Sequence, residues 1–192
     1  MSGYLLKFKQ TYSVKIGGRR YPVVKIGNQL WMAENLDYAP SGVSIGSNAW
    51  YYNDDETTYG WNGYKYGLLY NKEACDIIIS NITDDWRVPT DADYTNLVQF
   101  VGVDFSTKLK SKTGWSSNNG IDSFGFNGVP SGYKLTNSFY DVGNYGEFRT
   151  STITNGKCGV LELSYNDNES AVKSSNSSSH VGLSIRLVKS LT

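Results

Sequence analysis

The chain has 192 residues, long enough for one domain with a sizeable core and short for two. Hydrophobic residues make up 39% and charged residues 19%, which excludes a disordered chain. The formal net charge is zero, which argues against a nucleic-acid partner, since phosphate binding needs a basic surface.

In chain order, Tyr4 to Lys9 alternates and reads as a short N-terminal strand or attachment segment (residues 1–13) ahead of one domain over 14–192. Val14 and Ile16, then Tyr21 to Ile26, alternate around Gly17–Gly18, which predicts a hairpin. Gln29 to Asn35 carries Trp31 and Met32 toward a core. Residues 38–67 are rich in Tyr, Gly, Asn and Asp and read as a long structured loop. Leu69 to Ile79 predicts a first helix, against the β-branching of Ile77, Ile78 and Ile79. Thr90 as N-cap, Asp93 three residues on, and Tyr94, Leu97, Val98 and Val101 at helical spacing predict a second, ended by Gly102. Phe124 to Tyr133 turns repeatedly. Gly159 to Tyr165 and Leu183 to Val188 read as the clearest late strands, around the polar loop 174–179. The fold class expected is α+β.

Basic residues cluster at Arg19–Arg20 and at Lys108, Lys110 and Lys112; both groups read as solvated edge or loop positions. Cys75 and Cys158 have no metal-type spacing, and the sequence leaves open whether they pair. No apolar run after Met1 suits a signal peptide or a membrane helix, so neither is expected. His180 is the only histidine and lies in a Ser-rich stretch with no evident partner, so no catalytic residues and no enzyme are expected. Asn166, Asp167, Asn168 and Glu169 invite a calcium reading, with a plain Asn/Asp turn as the simpler one; no other cofactor or metal is expected. The functional signal is compositional. Aromatics reach 14%, and residues 137–180 mix Tyr, Asn, Ser, Asp and Gly, the palette of an adaptable binding surface. Tyr140, Asn144, Tyr145, Arg149, Tyr165, Asn166, Asn168, Asn176 and His180 are the expected ligand-binding residues. The competing reading has Tyr140, Tyr145 and Tyr165 packing on a sheet among ordinary turns.

Four stretches carry a family resemblance: VKIGNQLWMAENL (24–36), DWRVPTDADY (85–94), FGFNGVPSGY (124–133) and GLSIRLVK (182–189). In this order they resemble the Fibrobacter succinogenes major paralogous domain over about residues 14 to 190. The resemblance implies a C-type-lectin-like fold: two helices, a small mixed sheet joining the termini, and long loops forming one face. It also implies a surface or secreted protein of gut-type bacteria, or a phage receptor-binding or retroelement-diversified protein of similar fold. Two departures matter. The family carries Cys where this chain has Leu187, so Cys75 lacks its implied partner, and the Trp-rich stretch reads YGEFRTST (145–152). A missing disulfide position and no signal peptide favour a virion surface over an exported lipoprotein.

Two functions are therefore expected to compete. One is a module that binds a cell-surface glycan or protein receptor. The other is a structural or decoration protein that contacts other subunits or copies of itself, with the aromatic loops of Tyr38 to Tyr70 buried in the assembly.

Overall fold

Two strands that flank a glycine turn begin the ordered chain, as the alternation predicts. In this computed structural model, which describes residues 12–60, 62–63, 65–167, 170–174 and 181–191, β1 (Tyr12–Ile16) and β2 (Arg19–Ile26) pair antiparallel. Gly17 and Gly18 take φ of 57° and 85°, the pair of positive values that a two-residue hairpin turn needs. β2 pairs next with β3 (Gln29–Met32), and β3 with the last strand, β12 (Val188–Ser190). The sheet order β1-β2-β3-β12 thus places the first and last described strands in one sheet, at its opposite edges. The expected strand Tyr4 to Lys9 lies outside the described residues.

A six-stranded sheet, β10-β9-β8-β11-β5-β4, forms the larger layer. Its strands are β4 (Ala49–Trp50), β5 (Leu69–Tyr70), β8 (Tyr145–Thr154), β9 (Lys157–Ser164), β10 (Ala171–Ser174) and β11 (Leu183–Ser184). Only β11 and β8 pair parallel within it. A two-stranded hairpin, β6 (Tyr133–Leu135) with β7 (Ser138–Tyr140), hangs on its flank. The class is α+β with mostly antiparallel sheets, as expected.

Among the described residues there are four α-helices rather than two, the additions being the short α1 (Glu56–Tyr59) and α4 (Phe105–Leu109). α2 runs Lys72–Asn81, later than the 69–79 expected. Leu69 and Tyr70 instead pair with β4 and β11, and the side chain of Asn71 caps the helix by accepting from the Ala74 N–H. Ile78 is fully buried in the core, which offsets the helix cost of its β-branch. α3 (Asp91–Val101) carries the predicted capping box of Thr90 and Asp93 and ends at Gly102.

The core has two main parts. In one, Trp31 stacks on Tyr94 at 5.1 Å and meets Phe126 edge-on at 6.0 Å, and Phe126 meets Phe148 at 5.7 Å. Truncating a ring so enclosed costs about 3–5 kcal/mol. The other gathers Tyr21, Met32, Leu36, Tyr70, Cys75, Ile78 and Leu187. Cys75 and Cys158 are both buried and not joined in a disulfide, and Leu187 shares the cluster of Cys75.

Two sequence expectations fail here. Leu183 to Val188 is not one strand: β11 belongs to the large sheet and β12 to the small one, and residues 185–187 cross between them. Arg186 makes that crossing. It has no solvent exposure, and its guanidinium donates to Asn35 Oδ1 at 2.8 Å, Asn127 O at 2.8 Å and Phe126 O. Lys110 is not a solvated loop lysine. It is fully buried, with Nζ 2.7 Å from Asp167 and 3.0 Å from Ser164 O, above the Trp115 ring. A buried ammonium needs such partners, and the chain supplies them from more than fifty residues away.

Candidate functional site: the outer face of the large sheet

Alternation sorts the side chains of β8, β9 and β10 between two faces. Phe148, Leu161, Leu163 and Val172 turn to the core. Glu147, Glu162 and Lys173 turn to the other face. Glu147 stands directly opposite Glu162 in the β8–β9 register. Lys173 Nζ lies 2.7 Å from Glu162 Oε2, and Glu162 is buried. Burial first, and the Glu162 charge second, push the Glu147 carboxyl up to about 7, with Lys173 opposing them.

Beside the acids stands the β6–β7 hairpin, held to the large sheet by the bridges Gly132–Gly146 and Lys134–Gly182. Across it Tyr133 and Tyr140 stack, ring centroids 5.5 Å apart and planes 21° apart. Tyr140 is 42% exposed. The Tyr133 phenol is pushed up to about 12 by burial and then by the charges of Asp141 and Glu147. The arrangement is an exposed ring stacked on a half-buried one, with Asp141 next to it in the chain and a carboxyl pair on the neighbouring strands.

The nine sequence-predicted residues divide. Tyr140 lies on this face. Asn144, Tyr145, Tyr165 and Asn166 gather at the adjoining end of β8 and β9, all half-buried. Tyr145 and Tyr165 meet edge-on at 6.1 Å, Tyr165 also packs on the core, and Asn144 accepts from Ser116 Oγ at 2.6 Å. Arg149 is a correction: it is 1% exposed, because the Val181 segment and β6 cover that end of the sheet face, and it donates to Val181 O at 2.9 Å. Asn168, Asn176 and His180 lie outside the described residues. Tyr133, Asp141, Glu147, Glu162 and Lys173 were missed. A signal existed in Glu162, a glutamate between Leu161 and Leu163 in a strand, whose side chain must point away from the core.

Asp167, the described acid of the calcium reading, is already engaged. Burial pushes its carboxyl up, but Lys110, Ser106 and Thr107 outweigh that and hold it below the usual range. Among the described residues no group of three or more His, Cys, Asp and Glu side chains could hold a metal. A cleft of about 150 Å³ includes Arg186 in its lining, with Glu34, Lys65, Tyr66, Thr113 and Asn127. No helix among the described residues is long and apolar enough to cross a membrane.

The fold and the face define an α+β domain whose first and last described strands share one sheet and whose second sheet is flanked by a hairpin that carries a tyrosine stack. The chain belongs to the Fibrobacter succinogenes major domain family, whose model matches residues 24–189. No curated protein and no solved structure matches it.

Proposed function

We propose that this protein is a non-enzymatic binding module with a C-type-lectin-like fold, presenting the Tyr133–Tyr140 stack to a cell-surface glycan or protein receptor. The observation that carries the reading is Tyr140, a large ring left 42% exposed, stacked on Tyr133 and followed directly in the chain by Asp141. A preorganised ring offers contact area at low entropy cost, and its polar rim fixes orientation. The lectin-like assignment rests on the sheet shared by β1 and β12, on α2 and α3 as the two longer helices among the described residues, and on the loop-rich passage from β3 to β5. A virion surface is the placement we favour, from the family resemblance and the lack of a cysteine at Leu187.

The competing reading, a decoration protein, expects its aromatic loops to be buried between subunits. Trp50, Tyr51, Tyr52, Tyr66 and Tyr70 are instead buried within the chain itself, which supports the binding module. The test is binding of labelled protein to intact gut-type bacterial cells, with and without calcium, beside Tyr140→Ala. Saturable, strain-selective binding that weakens at least about tenfold in the variant is expected, as for a hot-spot aromatic. A folded sample that binds no strain would overturn the reading and favour the decoration protein.

A further inference from the structure

We propose that this face is proton-gated: Glu147 and Glu162 share one proton when the tyrosine platform is seated, and its loss as pH rises loosens the platform and weakens binding. The inference rests on the binding role proposed for that platform.

The geometry begins with the register. β8 and β9 are joined by Asn155–Gly156, with φ of 52° and 75°, so Thr154 faces Lys157. Continued without interruption, that ladder would set Arg149 opposite Glu162, an ion pair. A bulge between Arg149 and Ile153 shifts the pairing by two residues and puts Glu147 opposite Glu162 instead. The bulge is anchored from outside the sheet. Ser151 N donates to Pro89 O at 2.7 Å, Asp91 N to Thr152 Oγ1 at 3.1 Å, and Thr150 Oγ1 to Asp91 Oδ1 at 2.7 Å. Gly159 makes room for Asp91, since a Cβ there would come within 1.7 Å of Asp91 Oδ1. The start of α3 thus holds two like-charged side chains face to face.

Opposed residues in an antiparallel pair sit close enough that like charges destabilise the sheet. Each packed element contributes a group to the balance. From β10, Lys173 is committed to Glu162 at 2.7 Å. From β8, Arg149 turns to the Val181 carbonyl. The residue after β7 is Asp141, a third carboxyl facing Glu147, and β6 supplies Tyr133. Lys173 neutralises one of the opposed acids, and a proton on the other removes the repulsion. Burial and the neighbouring charge place that proton's release near neutrality.

Asp141 couples the pair to the platform, since it directly follows Tyr140 at the end of β7 and its charge acts on both Glu147 and Tyr133. The hairpin that carries the stack is held by few main-chain bonds: Gly132 N to Tyr145 O at 2.8 Å and the reciprocal Lys134–Gly182 pair at 3.0 and 2.8 Å. Added charge behind it acts on the strand pair that carries the stack.

The experiment uses the full chain and Glu147→Gln. Tyrosine ring and glutamate carboxyl resonances are followed from pH 5 to 9, with cell binding measured at pH 6 and 8. A single proton released near 7 predicts about a tenfold fall in wild-type binding between those values. It also predicts Tyr133 and Tyr140 shifts with the same midpoint, and the loss of both effects in the variant. Tyrosine titrations unchanged by Glu147→Gln, or a Glu147 carboxyl titrating near 4.5, overturn the gate. If no cells bind at any pH, the receptor reading fails alone, and the tyrosine shifts still decide the gate.

Discussion

Replacing Arg186 by lysine tests whether a single buried fork holds the two sheets together. Arg186 lies where the chain leaves the large sheet for the small one, above the Phe126 and Phe148 rings at 4.5 and 5.1 Å. Its close acceptors are the Asn35 side-chain oxygen and the main-chain carbonyls of Phe126 and Asn127, with the Met32 carbonyl farther off at 3.5 Å. Burial pulls its pKa down to about 10. An ammonium is a compact donor and cannot span a planar fork's three acceptors. Reaching one strands two, at roughly 1–3 kcal/mol each, so Arg186→Lys should cost about 4 kcal/mol. A domain of ordinary stability survives that loss. In urea, followed by tryptophan fluorescence, the midpoint should fall by about 2 M for a slope of about 2 kcal/mol/M. The melting temperature should fall by roughly 8–16 °C. A midpoint shift under about 0.5 M would refute the reasoning, since it would mean that the three acceptors do not depend on the fork.

Two further outcomes follow from buried charges. Lys110→Met removes the partner of Asp167 and of the Ser164 carbonyl; because Asp167 is 34% exposed and keeps some water, the cost should be about 2 kcal/mol, below that of a sealed pair. Urea unfolding checks this, and adding Asp167→Asn should recover part of the loss. Burial pushes the Asp93 carboxyl up, but the bonds from Arg87 and Thr90 outweigh it and hold it below the usual range. A depressed carboxyl stabilises the fold above its unfolded value near 4 and stops doing so as pH falls through its folded value. Asp93→Asn should therefore cost about 2 kcal/mol at pH 7 and progressively less as pH falls below about 4, read from melts across that range.

The sequence by itself determined the features whose causes lie within a few residues. The Gly17–Gly18 turn needs positive φ, the Thr90–Asp93 box closes over three residues, and alternation sends Trp31 inward and Glu162 outward. The four ordered motifs carried the family in the same way, because each is a local string. Even the Asn155–Gly156 turn, which starts the β8–β9 hairpin, was there to be read.

Tertiary structure decided which charges are buried and which face each other. Lys110 and Arg149 read as polar surface residues because their partners, Ser164, Asp167 and Val181, lie tens of residues further along. Residues 183–188 read as one strand because nothing in their pattern shows that the chain changes sheets at Arg186. The acid pair is the clearest case. The local turn alone would have matched Glu162 with Arg149. Contacts from Pro89 and Asp91 hold the bulge that substitutes Glu147, and such contacts exist only once α3 has docked on the strand. Register propagates along a ladder from its turn, so a distant element that inserts residues into one strand changes every pair beyond it.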